Sequence, residues 1–160
     1  MAKPTKNERR PDVPNKDHVA RYCSPKLVKR DPETRSVIGV FPEAFELKVN
    51  EEYLSTRWIE FFREEENSGQ FKMALEAFRK TFQGVKPNGA FAKLHVGSIL
   101  EAGKKQKCDI RVQDRSSLSN LGYAGIFGMP SQNSDALLLQ LLATECCIET
   151  CQIDDIDNDF

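Results

Sequence analysis

The sequence predicts an α+β fold: a single domain in which a mostly antiparallel sheet is covered by helices. Short segments that alternate between polar and apolar residues indicate β-strands, and longer segments with apolar residues every three or four positions indicate helices. The strands occur in groups and do not alternate regularly with helices, which is typical of α+β proteins. A length of 160 residues suits one hydrophobic core.

The predicted domain spans residues 17–153, between a flexible basic arm at 1–16 and an acidic tail at 154–160. The arm is rich in Lys, Arg, Asn and Pro and has no hydrophobic periodicity. The first predicted strand, HVARYC at residues 18–23, alternates in character. This alternation places His18 and Tyr22 on one face of the strand and Arg21 on the other.

Between residues 37 and 84 the sequence predicts two brief strands followed by two helices. β-branched and aromatic residues indicate strands at 37–41 and 45–49, separated by a proline. Aromatic residues at helical spacing predict a helix at 54–66, with Ser55 or the threonine after it as the N-cap. A second helix is predicted from residue 68, with a serine as its cap, to the glycine at 84.

The C-terminal half continues with strands and shorter helices. Residues 90–96 alternate as a strand, and Ser98 with a glutamate three residues later has the form of a capping box. Alternating segments predict strands at 108–113 and 123–127. A nearly continuous run of leucines predicts a last helix from Asp135 to about Glu149, capped by Ser134.

Composition and cysteine usage predict a cytoplasmic protein without membrane spans, metal or cofactor. The composition, 39% hydrophobic and 29% charged, is that of an ordinary globular protein. The longest apolar run is too short for a bilayer, and the N-terminal residues lack an apolar signal segment. The odd number of five cysteines favours reduced thiols, and only two histidines are present to complete a zinc site.

Charge is distributed unevenly although the net charge is −1. Residues 1–36 contain ten Lys or Arg against five Asp or Glu, whereas residues 145–160 contain six acids and no base. A basic N-terminal region can contact phosphate or an acidic partner surface, and it can also fold back on the acidic tail. Nucleic-acid binding through residues 1–36 is therefore one hypothesis.

No strong catalytic signature is present. The sequence has no phosphate-binding loop, no HExxH pair and no nucleophile elbow. The glycines of GYAGIFG, residues 122–128, lie in a predicted strand and lack the strand-to-helix context of a dinucleotide fingerprint. These absences lower the expectation of most common enzyme classes.

The first candidate site is the strand that contains His18, Arg21 and Tyr22. His18 is a proton-transfer group, and the phenol of Tyr22 lies on the same predicted face. A phosphodiesterase acting on RNA can use such a histidine as acid or base, with Arg21 or Tyr22 steadying the phosphate. Alternatively, the histidine and tyrosine are half-buried structural neighbours, and the arginine pairs with a carboxylate.

A second candidate set consists of Ser55, Arg57 and Glu60. Together with Arg21, the hydroxyl of Ser55 and the carboxylate of Glu60 are similar to the triplet with which nicotinamide-splitting transferases hold a ribose. Alternatively, Ser55 is a helix cap and Glu60 is a solvated acid on the face of a helix.

The segments DHVARYC, LSTRWIEFF and YAGIFGMP resemble a family of small, uncharacterised bacterial proteins, over roughly residues 17–150. These proteins have a D-H-V-x-R-Y opening followed by an L-S-x-x-W-x-E-x-F block. The resemblance implies bacterial origin and a compact domain, and it carries no activity. Relatives of this kind often have a histidine where this chain has Tyr123 or Ala124.

These observations lead to three hypotheses for function. The first is an interaction module, a small subunit or partner protein of a larger assembly. The second is a small toxin-like enzyme, either a ribonuclease or a nucleotidyl or ADP-ribosyl transferase, with His18, Arg21, Tyr22, Ser55 and Glu60 as candidate residues. The third is non-specific nucleic-acid binding through the basic arm.

Overall fold

A six-stranded antiparallel sheet forms the centre of the protein, with strand order β6-β7-β4-β1-β5-β8. The computed structural model describes residues 10–63, 67–130 and 135–158. The strands of the main sheet are β1 (His18–Cys23), β4 (Tyr53–Trp58), β5 (Ala90–His95), β6 (Arg111–Asp114), β7 (Tyr123–Phe127) and β8 (Cys147–Gln152). A separate hairpin pairs β2 (Val28–Arg30) with β3 (Val37–Val40). The α+β prediction with an antiparallel sheet is confirmed.

Helices cover both faces of the sheet and divide the interior into two apolar clusters. The helices are α1 (Asn67–Thr81), α2 (Val96–Lys105), α3 (Ala136–Leu141) and α4 (Ile153–Asn158). One cluster joins α1 and α4 to the face of Ala20 and Phe91. The larger cluster joins α2, α3 and the hairpin to the face of Val19 and Leu54. Neighbouring residues of β1 therefore belong to different apolar clusters, because successive side chains of a strand point to opposite faces of the sheet.

The helix predicted at residues 54–66 is wrong, because residues 53–58 form β4 and a 3₁₀ turn follows at Ile59–Phe61. β4 lies between β1 and β7 and pairs with both, so its backbone donors and acceptors are satisfied by strands that are distant in the sequence. The side chains from Tyr53 to Trp58 alternate in a way that is compatible with a strand, although the spacing of the aromatic residues is compatible with a helix. The predicted positions 64–66 lie outside the described residues.

The last predicted helix is also wrong beyond its first turns. α3 ends at Leu141 and passes through a π-helical turn, Leu142–Cys146, into the edge strand β8. β8 pairs with β5, and this long-range pairing overrides the helical pattern of the leucines. Asp135 caps α3 by accepting a hydrogen bond from the main-chain N–H of Leu138, whereas the predicted cap Ser134 lies outside the described residues.

Other boundaries differ over shorter ranges. The strand predicted at 45–49 is not formed: Phe45 ends a 3₁₀ turn at Pro42–Phe45, and residues 46–49 are not in a strand. Proline favours the first position of such a turn. The segment Val28–Arg30, for which the sequence predicted no strand, is β2. α2 begins before Ser98 and is capped by His95, whose ring accepts a hydrogen bond from the Ser98 N–H. The side chain of residue 68, a predicted cap, is not described.

The predicted termini of the domain carry structure of their own. Within the predicted arm, Val13 is 1% exposed and its main-chain N–H donates to the Val112 carbonyl of β6. Within the predicted acidic tail, α4 extends to Asn158. Among the described residues, no helix is both long and apolar enough to span a membrane.

Candidate functional site

The five residues proposed from the sequence lie in two separate places. His18 and Glu60 contact each other near the start of β1, with 2.7 Å between His18 Nδ1 and Glu60 Oε2. Arg21, Tyr22 and Ser55 line a pocket farther along the strand. The structure therefore does not bring together a His-Arg-Tyr site or an Arg-Ser-Glu triplet.

The pocket opens where β1 and β4 separate. These strands pair only through Val19 with Trp58 and Ala20 with Arg57, whereas β1 stays paired with β5 along its whole length. The pocket has a volume of about 420 Å³, which is in the range of roughly 300–1,000 Å³ found for small-molecule sites. Its lining consists of Ala20, Arg21, Tyr22, Glu51, Ser55, Thr56, Arg57, Phe78, Thr81, Phe82, Phe91, Asn120 and Tyr123.

Arg21 bridges the gap between the separated strands. Its Nε donates to the Ala44 carbonyl over 2.6 Å, and its Nη1 donates to the Ser55 carbonyl over 2.8 Å. The next-but-one neighbours of Arg21 along β1, Val19 and Cys23, point into the larger core. Because the strands have separated, the Arg21 side chain nevertheless lines the same pocket as Tyr22.

Arg57 forms the wall of the pocket beneath the loop that precedes β7. It is 3% exposed and donates hydrogen bonds to the side chain of Asn120, to the Leu121 carbonyl over 2.9 Å and to Thr81 Oγ1 over 2.9 Å. Its guanidinium carbon also lies 5.3 Å from the centre of the Tyr123 ring. These contacts are typical of an arginine held in one orientation by neutral partners.

The two guanidinium groups have no ion-pair partner among the described residues. Within the described residues, the ion pairs join carboxylates to other basic groups, namely His18, Arg79, Lys104, Lys105 and Arg111. Burial lowers the pKa of Arg21 and of Arg57 from its ordinary value. Both groups nevertheless carry a positive charge at neutral pH, because a guanidinium is not deprotonated in proteins. The pocket thus carries two desolvated positive charges and one carboxylate, Glu51.

Hydroxyl groups and aromatic rings complete the lining. Ser55 Oγ lies 3.0 Å from the Tyr123 hydroxyl, which donates to the Tyr53 hydroxyl over 3.1 Å. Burial, with the interaction between Tyr53 and Tyr123 as a second cause, raises the pKa of Tyr53 to about 12. On the opposite wall, the Tyr22 ring packs against Phe78 and Phe82 with centroids 5.4 and 5.8 Å apart.

Sequence reasoning found part of this site and missed the rest. It selected Arg21, Tyr22 and Ser55 from their polar character, and it named Arg57 in the second candidate set. The helix-cap interpretation of Ser55 is wrong, because Ser55 lies within β4. Glu60 lies in the short 3₁₀ turn at Ile59–Phe61 and contacts His18, so it is not a solvated acid on an α-helix. Asn120 and Thr81 were missed, since the contacts that bring them to Arg57 span 63 and 24 positions of the chain.

Two other predictions concern metal binding and the basic segment 1–36. Among the described residues, no three His, Cys, Asp or Glu side chains are grouped in a way that suits a metal ion. Of the described basic residues in segment 1–36, Arg21 lines the pocket and Arg30 donates to the carbonyls of Arg35 and Asn88. Nucleic-acid binding by this segment stays a prediction.

Comparison with protein-family models, with curated proteins and with solved structures finds no match to this chain.

Proposed function

We propose that this chain is a binding module whose pocket takes a small anionic ligand with an apolar or aromatic portion. The observation that carries the proposal is the pair of arginines formed by half-buried Arg21 and buried Arg57, which line a pocket of about 420 Å³ without an ion-pair partner in the described part of the chain. A desolvated cation is costly unless it is paired, and a bound anion supplies the missing charge.

Hydrogen-bond capacity supports the same conclusion. An arginine has five N–H donors. Arg21 uses two of them and Arg57 uses three in contacts with described residues. None of the described, fully buried side-chain polar atoms lacks a hydrogen-bond partner, so the unused Arg21 nitrogen is accessible to solvent through the pocket. Such a group is available to bind a phosphate or carboxylate.

The rest of the lining favours a ligand with a flat apolar part. Phe78, Phe82, Phe91 and the ring of Tyr22 lie on the side of the pocket that faces α1. Aromatic side chains contribute large apolar contact areas and prefer offset or edge contacts with other rings. The hydroxyls of Ser55 and Tyr123 add hydrogen-bonding groups of the kind that orient a ligand.

Isothermal titration calorimetry with phenyl phosphate, inorganic phosphate and the neutral analogue benzyl alcohol tests the proposal. We expect phenyl phosphate to bind most tightly and benzyl alcohol not to bind. Arg21→Lys should weaken phenyl phosphate binding by about tenfold, because lysine lacks the guanidinium fork. The matched control is Arg115→Lys, since Arg115 lies over the rings of Tyr53 and Phe127 and does not line the pocket. Equal affinity for charged and neutral analogues would contradict the proposal.

The anionic group can also belong to a partner protein that binds at this pocket. In that case the chain is an interaction module, as the first hypothesis from the sequence states. Copurification of tagged wild-type chain and of the Arg21→Lys variant from the native host tests this source of the ligand. We expect the partner to be retained by the wild type and depleted with the variant. A chain that is recovered alone in both cases would contradict a protein partner at this pocket.

A further inference from the structure

At the end of β1 opposite to the pocket, two histidines lie side by side. His18 on β1 is directly opposite His95 on β5, and the centres of their rings are 5.3 Å apart. Both residues are half-buried, and the His18 side chain keeps 21% of its surface exposed. Neither histidine lines the pocket. The pair is therefore a separate cluster of titratable groups that solvent can reach.

Glu60 fixes the position and the tautomer of His18. Its Oε2 lies 2.7 Å from His18 Nδ1, and its Oε1 accepts the main-chain N–H of His18 over 2.7 Å. Both carboxylate oxygens are thus engaged by one residue. Because a carboxylate only accepts hydrogen bonds, the proton of a neutral His18 ring lies on Nδ1. Its Nε2 is then left as a proton acceptor.

His95 is held in the opposite tautomer. Its Nδ1 accepts the main-chain N–H of Ser98 over 3.2 Å and lies 3.0 Å from the Ser98 hydroxyl. A nitrogen that accepts from an N–H carries no proton itself, so the proton of the neutral ring is on Nε2. Gly97 permits this arrangement, because a Cβ at that position would lie 2.9 Å from His95 Cε1.

The two rings therefore form a complementary pair: His18 presents a proton acceptor and His95 a proton donor. General acid–base catalysis of group transfer needs these two groups at one place. The nearby carboxylates are already engaged, since Glu60 binds His18 and the buried Asp17 accepts from the Trp58 indole over 2.9 Å. Lys16 is exposed two residues before His18, so a positive charge lies near the histidine pair. A nearby cation favours an anionic substrate.

We propose that His18 and His95 form a proton-transfer site that cleaves RNA phosphodiester bonds by transesterification. His18 Nε2 takes the proton of a ribose 2′-hydroxyl, and the 2′-oxygen forms a bond to phosphorus. The bond from phosphorus to the 5′-oxygen breaks, and His95 Nε2–H gives its proton to that leaving oxygen. The products are a 2′,3′-cyclic phosphate and a 5′-hydroxyl, so the step balances without a cofactor. Glu60 is a positioning residue, because it acts through His18.

RNA is favoured over other phosphoesters because its nucleophile is part of the substrate. The histidines lie at a half-exposed surface and do not line the pocket described above. In RNA the attacking 2′-hydroxyl is already next to the phosphorus, so the site does not need to orient a second reactant. This inference is independent of the anion-binding pocket, whose lining it does not use.

The experiment incubates the full chain with a fluorescent oligoribonucleotide and with the same oligonucleotide carrying only 2′-deoxyribose. We expect cleavage of the RNA to a cyclic phosphate and none of the deoxy substrate. His18→Ala should lower kcat by roughly 10²–10⁴-fold, with partial rescue by added imidazole. His95→Asn should do the same while keeping an acceptor for the Ser98 N–H. Glu60→Gln should lower kcat and leave KM unchanged.

Matched controls separate loss of chemistry from loss of fold. Glu101→Gln, an exposed change on α2, should cleave at the wild-type rate, and circular dichroism should show that each variant melts as one cooperative unit. Cleavage that persists unchanged in separately purified His18→Ala protein would assign the activity to a contaminant and overturn the proposal. Absence of cleavage by a folded wild-type chain, or equal cleavage of the deoxy substrate, would also overturn it.

Discussion

Arg21 on β1 donates a hydrogen bond over 2.8 Å to the main-chain carbonyl of Ser55 on β4, beyond the last paired residues of these two strands. A side chain thus satisfies an acceptor that a neighbouring strand would satisfy in a continuous sheet. The strands separate without leaving this carbonyl unpaired, and the resulting gap forms one side of the pocket.

The first prediction concerns the stability that Arg21 provides. Arg21→Met removes the donors to the carbonyls of Ala44 and Ser55. We expect the free energy of unfolding to fall by about 3 kcal/mol or more, because hydrogen bonds from charged groups each contribute roughly 1.5–3 kcal/mol. Urea denaturation followed by circular dichroism measures this change in the free energy of unfolding. Arg115→Met is the matched control, and an equal effect of both changes would contradict the bridging role.

The second prediction concerns the cap of α3. The Asp135 carboxylate accepts the main-chain N–H of Leu138 over 2.9 Å. Asp135→Ala should lower the free energy of unfolding by about 1 kcal/mol, whereas Asp135→Asn should leave it nearly unchanged because asparagine is an equally good N-cap. Equal destabilisation by both variants, measured by thermal melting, would show that the charge and not the cap matters.

The third prediction concerns Gly128, which follows β7 with φ of +86°. A Cβ at this position would lie 2.0 Å from the Asp109 carbonyl oxygen, so Gly128→Ala must move main chain as well as adopt a strained conformation. We expect a loss of about 3 kcal/mol or more. Gly84→Ala is the control, because its added Cβ meets only the Phe82 ring. A Gly128→Ala variant as stable as Gly84→Ala would contradict this.

The fourth prediction concerns the reactivity of the cysteines. Burial raises the pKa of the Cys23 thiol to about 12, and burial together with the Glu145 charge raises the pKa of Cys146 to about 12. At pH 8 the thiolate fraction of such a group is about 10⁻⁴. Iodoacetamide should therefore modify the partly exposed Cys108 before Cys23 and Cys146, as peptide mass spectrometry would show. In urea, all three should react at similar rates.

The fifth prediction concerns the ion pair between α1 and α4. Arg79 donates two hydrogen bonds of 2.7 Å to Asp157, and this contact lowers the pKa of the Asp157 carboxyl. Both side chains are partly exposed, so Arg79→Ala should cost only about 0.5 kcal/mol at pH 7. Because the pKa is lower in the folded state, the contribution is present above the unfolded pKa and is lost as pH falls through the folded pKa.

Urea denaturation of wild type and Arg79→Ala at pH 7 and at pH 2 measures this difference. We expect the gap in unfolding free energy to shrink at the lower pH, and Lys104→Ala, which breaks a more exposed pair within α2, to cost less at either pH. A gap that widens on acidification would contradict the role of Asp157.

The candidate site could be predicted only in part. Polar residue types in short apolar segments were sufficient to select His18, Arg21, Ser55 and Glu60. Their grouping was not predictable, because the contacts that decide it span 34 positions between Arg21 and Ser55 and 42 between His18 and Glu60. The same limit applies to the two strands that were predicted as helix, β4 and β8, since each is stabilised by pairing with distant segments.

The sequence by itself determined the α+β class, the alternating faces of β1 and the amphipathic helix α1, because the periods of two and 3.6 residues are local properties of the chain. Only the tertiary structure decided that β1 and β4 separate after Ala20, that Arg21 crosses the gap, and that Glu60 meets His18. These features depend on which distant backbone and side-chain groups satisfy one another, and local periodicity contains no information about that choice.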